Sequence, residues 1–158
     1  MTDPDFPPRG IVEAIGASTA EYTEEERRNL ASFHAQRRAL MADRKNYEAE
    51  GFVHHQRGIV HIPALDPAAP KGMTPASIPD RTDEIVDVIA KGDRVWALWY
   101  VTGTHDGDIY GIPATGQPIR MLELGLWRFV DGKAVEAWFW ADEMALLRQI
   151  GKITEPVW

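Results

Sequence analysis

A chain of 158 residues is long enough for one domain to bury about two-thirds of its unfolded surface, and with no cysteine it holds no disulfide, thiolate nucleophile or Cys-based metal site. Its 24 acidic and 17 basic residues leave a net charge of −7, a field that repels phosphate backbones, and no basic stripe overrides it, so no nucleic-acid partner is expected. No apolar run approaches the roughly 20 residues that span a bilayer, and the opening MTDPDFPPRG has no apolar leader core; the expected address is the cytoplasm, with no membrane partner.

Residues 1–22, rich in Pro, Gly and Ala, read as an N-terminal arm before a single domain over 23–158. Thr23-Glu24-Glu25-Glu26 places a capping threonine and a run of acids at a helix start. Leu30, Phe33, Arg37, Leu40 and Met41 then recur at helical spacing, predicting one helix from about Glu24 to Asp43. A shorter helical piece holds Tyr47. Gly58-Ile59-Val60-His61-Ile62 reads as a short strand stopped by Pro63, and residues 63–80 carry too many prolines for regular structure. Beyond them the chain is mostly β. Asp83 to Ala90 and Val95 to Thr104 are strands joined by a turn at Lys91-Gly92-Asp93. A glycine-rich connection covers Asp106 to Gln117. Ile119 to Val130 and Ala134 to Ala141 flank Asp131-Gly132, a strong hairpin signal. A last helix, Asp142 to Ile150, stops at Gly151. Helices followed by a meander of long strands imply an α+β domain with helices on one face of a curved antiparallel sheet.

Gly103-Thr104-His105, Gly107, Gly111-Ile112-Pro113-Ala114-Thr115-Gly116, Arg128, Asp131-Gly132-Lys133, Glu136, Trp138, Asp142 and Leu147 to Gly151 together resemble the SnoaL-like polyketide cyclases. Upstream, Val60-His61-Ile62-Pro63 and Ile89-Ala90 with Gly92-Asp93-Arg94-Val95 are similar to the same family. Turn glycines and core residues dominate the likeness, so it speaks for the fold more than for the reaction. The resemblance implies a cystatin-like, cone-shaped sheet wrapped by N-terminal helices around a single pocket, no metal or organic cofactor, and a homodimer. It also implies one carboxylate that moves the proton, at the position of Asp142; the cyclases of the family close a ring by intramolecular aldol addition.

Several side chains are candidates for chemistry. Side chains alternate along the strand from Ala134, so Glu136, Trp138, Trp140 and Asp142 share a face; if Trp138 lines the pocket, so does Asp142. Flanking indoles would desolvate that carboxylate and raise its pKa. The plainer reading is that Asp142 caps the helix after it. His105 either orients a substrate oxygen or braces the glycine-rich connection. His61 is either a ligand contact or a core histidine. His54 and His55, near Tyr47, form a polar mouth to the pocket or a solvated loop, and no spacing brings His54, His55 and His61 together as a zinc site. Glu123 shares its parity with Met121 and Trp127 and needs a partner or a function if buried. Arg128 pairs with Glu136 across the hairpin or holds an anionic oxygen. Among six tryptophans, Trp96 and Trp99 must point to opposite sides, while Trp99, Trp127 and Trp138 are candidates to hold an aromatic substrate. The expected protein is therefore a cofactor-independent acid–base enzyme. It would act on an aromatic or polyketide-like small molecule, as an aldol-type cyclase, a retro-aldol or formaldehyde-releasing C–C lyase, an isomerase or a dehydratase. Its alternative is a non-catalytic binding or assembly module of the same fold.

Overall fold

The structure, a computed structural model, describes residues 21–56 and 72–154. The expected arm through residue 20 and the expected strand around His61 lie outside them. Helix α1 (Glu24–Arg38) begins as its sequence demands: the Glu26 amide donates to Thr23 Oγ1 at 3.2 Å and the Thr23 amide to the Glu26 carboxylate at 2.8 Å, a reciprocal capping box. It ends five residues earlier than the spacing predicts. Ala39 turns extended, Leu40 is exposed instead of buried, and a 3₁₀ segment (Met41–Tyr47) follows. The buried Arg44 stabilises this break by donating to the carbonyls of Arg37 at 3.3 Å and Ala39 at 3.4 Å, which the helix leaves unpaired.

Five strands form one curved, unclosed sheet: β1 (Glu48–Gln56), β2 (Thr82–Lys91), β3 (Arg94–Thr104), β4 (Pro118–Val130) and β5 (Lys133–Ala141), in the order β1-β5-β4-β3-β2. Strand β1 departs from expectation, because EAEGFVHHQ alternates poorly and it joins β5 in parallel. Four strands are antiparallel as anticipated. Between Glu48 and Val53 the β1 register shifts, at Gly51 with φ 74°. A bulge of this kind re-aims the residues that follow. The β4–β5 turn puts Asp131 and Gly132 at φ 49° and 75°, the left-handed pair that a two-residue hairpin requires. Helix α2 (Glu143–Gln149) follows β5 and closes at Gly151, φ 80°.

The core lies on the inner face, between the sheet and α1. Val95, Ala97, Trp99 and Val101 of β3 face inward with Ile119, Met121, Trp127 and Phe129 of β4, and Phe33 of α1 meets Trp127 edge-on at 4.9 Å. On β5 both parities are apolar, and packing selects between them. Trp127 stands opposite Ala137 and Phe139 opposite Gly125, so large side chains face small ones. Trp138 and Trp140 are thereby left on the outer face, opposite Leu126 and Leu124. The outer face is unusually apolar, with Trp96, Leu124 and Trp140 each about two-fifths exposed.

Candidate active site

A cavity of about 560 Å³ opens beneath α1, between the 3₁₀ segment, β1, the segment around Met73 and the inner faces of β4 and β5. That volume is within the range of small-molecule sites. Phe52, Trp127 and Phe139 supply its apolar wall, and Arg37, Arg44, Arg81, Glu48, Glu123 and His54 its polar one.

The polar wall is organised around one carboxylate. The Asp83 side chain, wholly buried, takes Arg81 Nε at 2.8 Å on one oxygen and Arg44 at 2.9 Å and Arg37 at 3.3 Å on the other. Arg81 also reaches Glu123 at 3.0 Å. Burial works against the Asp83 charge, but Arg81, Arg37 and Arg44 outweigh it and hold the carboxyl below its ordinary value. Burial likewise opposes the Arg81 charge, which Glu123 and Asp83 more than restore, so its pKa is raised. Arg37 is the least compensated: burial, then Arg44, push its guanidinium down to about 9. Its plane is packed against two indoles, with Cζ 5.1 Å from the Trp127 ring centre and 5.6 Å from that of Trp99.

His54 sits on the inner face because of the β1 bulge, paired in register with Ala137. Its ring stands edge-on to Phe139 at 4.6 Å. Although open to the cavity, its imidazole is held below the usual histidine pKa by the packed atoms around it, then by Arg37 and His55. It is therefore neutral near pH 7 and able to accept a proton. Glu48 accepts from the Gln36 amide at 3.3 Å, and burial pushes its carboxyl up.

The expected site residues divide accordingly. Glu123 and Trp127 line the cavity, and Trp99 lies fully buried behind Trp127 at 5.4 Å between ring centres. Asp142 does not look into the cavity: it is exposed and caps α2, accepting from the Ala145 amide at 3.0 Å. The parity linking it to Trp138 holds, but that whole face is outward, because Phe139 takes the inner position. Trp138 stacks on His55 at 5.0 Å and 11° on the outer face, where His55 Nε2 meets Glu136 at 2.9 Å and Glu136 meets Arg128 at 3.3 Å. Adjacent histidines on opposite faces cannot share a metal ion. His105 is wholly buried but outside the cavity lining, and it braces the connection after β3. Its Nδ1 meets Thr115 Oγ1 at 2.8 Å, and its carbonyl accepts from the Gly116 amide at 2.9 Å. Tyr47 closes the 3₁₀ segment away from the lining, and His61 lies outside the described residues.

Sequence reasoning passed over Arg37, Arg44, Arg81 and Phe139 as site residues. Arg37 carried a readable signal, a cation within the otherwise apolar stripe of α1. The others carried none, since their convergence depends on the 3₁₀ break and on the strand register.

Comparison with known proteins shows the family and the fold. The pattern of the SnoaL-like polyketide cyclases matches residues 38–150. Aklanonic acid methyl ester cyclase DnrD of Streptomyces peucetius is 33% identical over 69 residues, which are 44% of this chain and 48% of that cyclase, so the match spans about half of each. A candidate SnoaL-like polyketide cyclase from Jannaschia sp. CCS1 superposes with a TM-score of 0.68 at 19% identity, covering 85% of this chain and 99% of the other. AclR, a candidate hydroxylase from Streptomyces galilaeus, superposes at 0.63 with 26% identity over 84% of each chain.

Proposed function

This chain belongs to the SnoaL-like polyketide cyclase family, and from that premise we propose a cofactor-independent enzyme that moves protons at carbon on an aromatic or polyketide-like small molecule held in the cavity. The observation that carries this reading is His54, an imidazole kept neutral beside an apolar wall and a guanidinium-rich one.

In the reaction, the imidazole takes a proton from a carbon next to a carbonyl. The resulting enolate carbon attacks a second carbonyl of the same molecule, forming the C–C bond, and the new alkoxide takes the proton back. Nothing is gained or lost overall. Run in reverse from a β-hydroxy carbonyl, the same movements cleave the bond and release an aldehyde, formaldehyde in the simplest case; loss of water from the aldol product needs the same base. Guanidiniums fixed along one wall lower the cost of the enolate oxygen's charge. Trp127 and Phe139 hold the ring system. Asp142, capping α2 in solvent, has no part in this scheme. The homodimer is part of the proposal, with Trp96, Leu124 and Trp140 on the outer sheet face as the surface it covers; light scattering on the eluting protein tests it, and a monomer mass rejects it.

The test of the chemistry is His54→Gln with a panel of aromatic 1,3-dicarbonyl compounds and β-hydroxy ketones, followed by NMR. Loss of a positioned base lowers kcat by roughly 100- to 10,000-fold, with the ligand still bound. Unchanged turnover removes His54 from the mechanism. Binding without turnover of any compound by the parent protein replaces the enzyme with the binding module.

A further inference from the structure

We propose that the cavity selects ligands bearing a permanent anionic oxygen pair, an aromatic carboxylate in the simplest case, and that Arg37 is the residue that selects them. The proposal rests on the reading that this cavity is the ligand site, and it adds the charge class of the ligand.

Asp83 is shared by three guanidiniums, and Arg37 has the longest of its contacts, 3.3 Å against 2.8 and 2.9 Å. The Arg37 side chain is 7% exposed, yet its Nε donor has no partner. Its remaining contact within the wall is to the neighbouring Gln36 side chain at 3.3 Å. A buried cation with an idle donor is costly, and a residue kept in that state is poised for an acceptor from outside. A guanidinium on the cavity wall with an unpartnered donor suits an acceptor-only group, and a carboxylate offers about four lone-pair sites and no proton.

Packing fixes the guanidinium for this role. Trp127 and Trp99 back it, with their ring centres 5.1 and 5.6 Å from its Cζ. The apolar wall of Phe52, Trp127 and Phe139 suits a flat ring carried by the same ligand. The remaining acids do not defeat the attraction: Glu123 is held by Arg81, and Glu48 bonds the Gln36 amide with its carboxyl pushed toward the neutral form. In a chain of net charge −7, three arginines gather on one cavity wall with Asp83, Glu123 and Glu48 among them, and Arg37 makes the longest contact to Asp83.

Isothermal titration of the full chain with 2-naphthoate and with methyl 2-naphthoate at pH 7.5 tests the proposal. A charge-assisted hydrogen bond corresponds to roughly 10- to 100-fold in affinity, so the acid should bind at least about tenfold tighter than the ester, with a preference that shrinks in salt. Arg37→Gln should erase the preference by weakening the acid alone, and Arg37→Lys should restore part of it. Equal affinities for acid and ester overturn the proposal, as does failure of both to bind. A folded Arg37→Gln protein that loses both ligands equally also overturns it, since Arg37 is then only structural. The comparison of acid with ester on the parent protein needs no variant, so a misfolded one does not stall the test. Acid-selective binding of naphthoate, with none of the dicarbonyl and β-hydroxy ketone panel turned over, leaves this proposal standing and sinks the catalytic one; turnover of that panel with no preference of naphthoate over its ester does the reverse.

Discussion

Gly125, opposite Phe139 on β5, has no room for a single methyl group against the Trp127 ring. A Cβ built there lies 2.6 and 2.7 Å from two ring carbons of Trp127 and 2.8 Å from one of Trp99. The nearest ring edge must move about 0.8 Å, from 2.6 Å to the 3.4 Å at which ordinary contact begins. It has little freedom to do so, because Trp127 is packed between Phe33 at 4.9 Å, Phe139 at 5.0 Å and the Arg37 guanidinium at 5.1 Å. Overpacking a filled core costs typically 1–3 kcal/mol, and three close contacts against a pinned ring put Gly125→Ala at about 2 to 3 kcal/mol. In a domain of this size that lowers Tm by about 5 to 10 °C. Differential scanning calorimetry measures it, and the double variant with Trp127→Phe isolates the cause. Phenylalanine lacks the two ring carbons of the first clash, so the coupling energy should favour the pair by about 1 kcal/mol or more. A Tm within a degree or two of the parent, or a strictly additive double variant, refutes the packing argument.

Asp142→Ala should cost about 1 kcal/mol in urea unfolding through loss of the α2 cap, whereas Asp142→Asn should preserve stability, ligand affinity and turnover; a large fall in kcat for the asparagine variant would return that carboxylate to the chemistry. His105→Ala should destabilise the protein by about 1 to 3 kcal/mol by leaving a cavity where a wholly buried imidazole stood and removing its bond to Thr115, while naphthoate affinity stays within about twofold. Glu26, held down to about 2 from its ordinary 4.5 by the amides of Gly92 and Thr23, contributes stability that is fully present above pH 4.5 and is lost as pH falls toward 2. The stability gap between the parent and Glu26→Gln should narrow over that acid range and be constant from pH 6 to 8. Because the His54 pKa lies below the usual 6.5, a rate limited by its neutral form should be level at pH 7 to 8 and fall only on the acid side of 6.5; an acid limb above 7 would exclude it as the base.

Local rules made much of the architecture legible. The capping box at Thr23, the Asp131-Gly132 hairpin and the opposed parities of Trp96 and Trp99 are short-range signals, and each is found where it reads. The salt bridge between Arg128 and Glu136 follows from the register of one hairpin. The site was harder to read because its walls meet through long-range register. Strand β5 has apolar residues at both parities, so alternation alone could not say whether Trp138 or Phe139 points inward; the bulk of Trp127 and the absence of a side chain at Gly125, on another strand, decide it. His54 faces inward through a bulge at Gly51, which a poorly alternating sequence does not announce. Asp142 was placed by the same parity reasoning and went outward with Trp138.

Strand β1 is a partition a single strand thick, and its two histidines look into different rooms. His54 belongs to the cavity, while His55, its neighbour along the backbone, is clamped between Trp138 and Glu136 on the far side. Anything that grips the outer indole pulls on a peptide bond shared with the inner imidazole. A partner seated on the outer indole would therefore touch the same strand that presents an imidazole to the cavity.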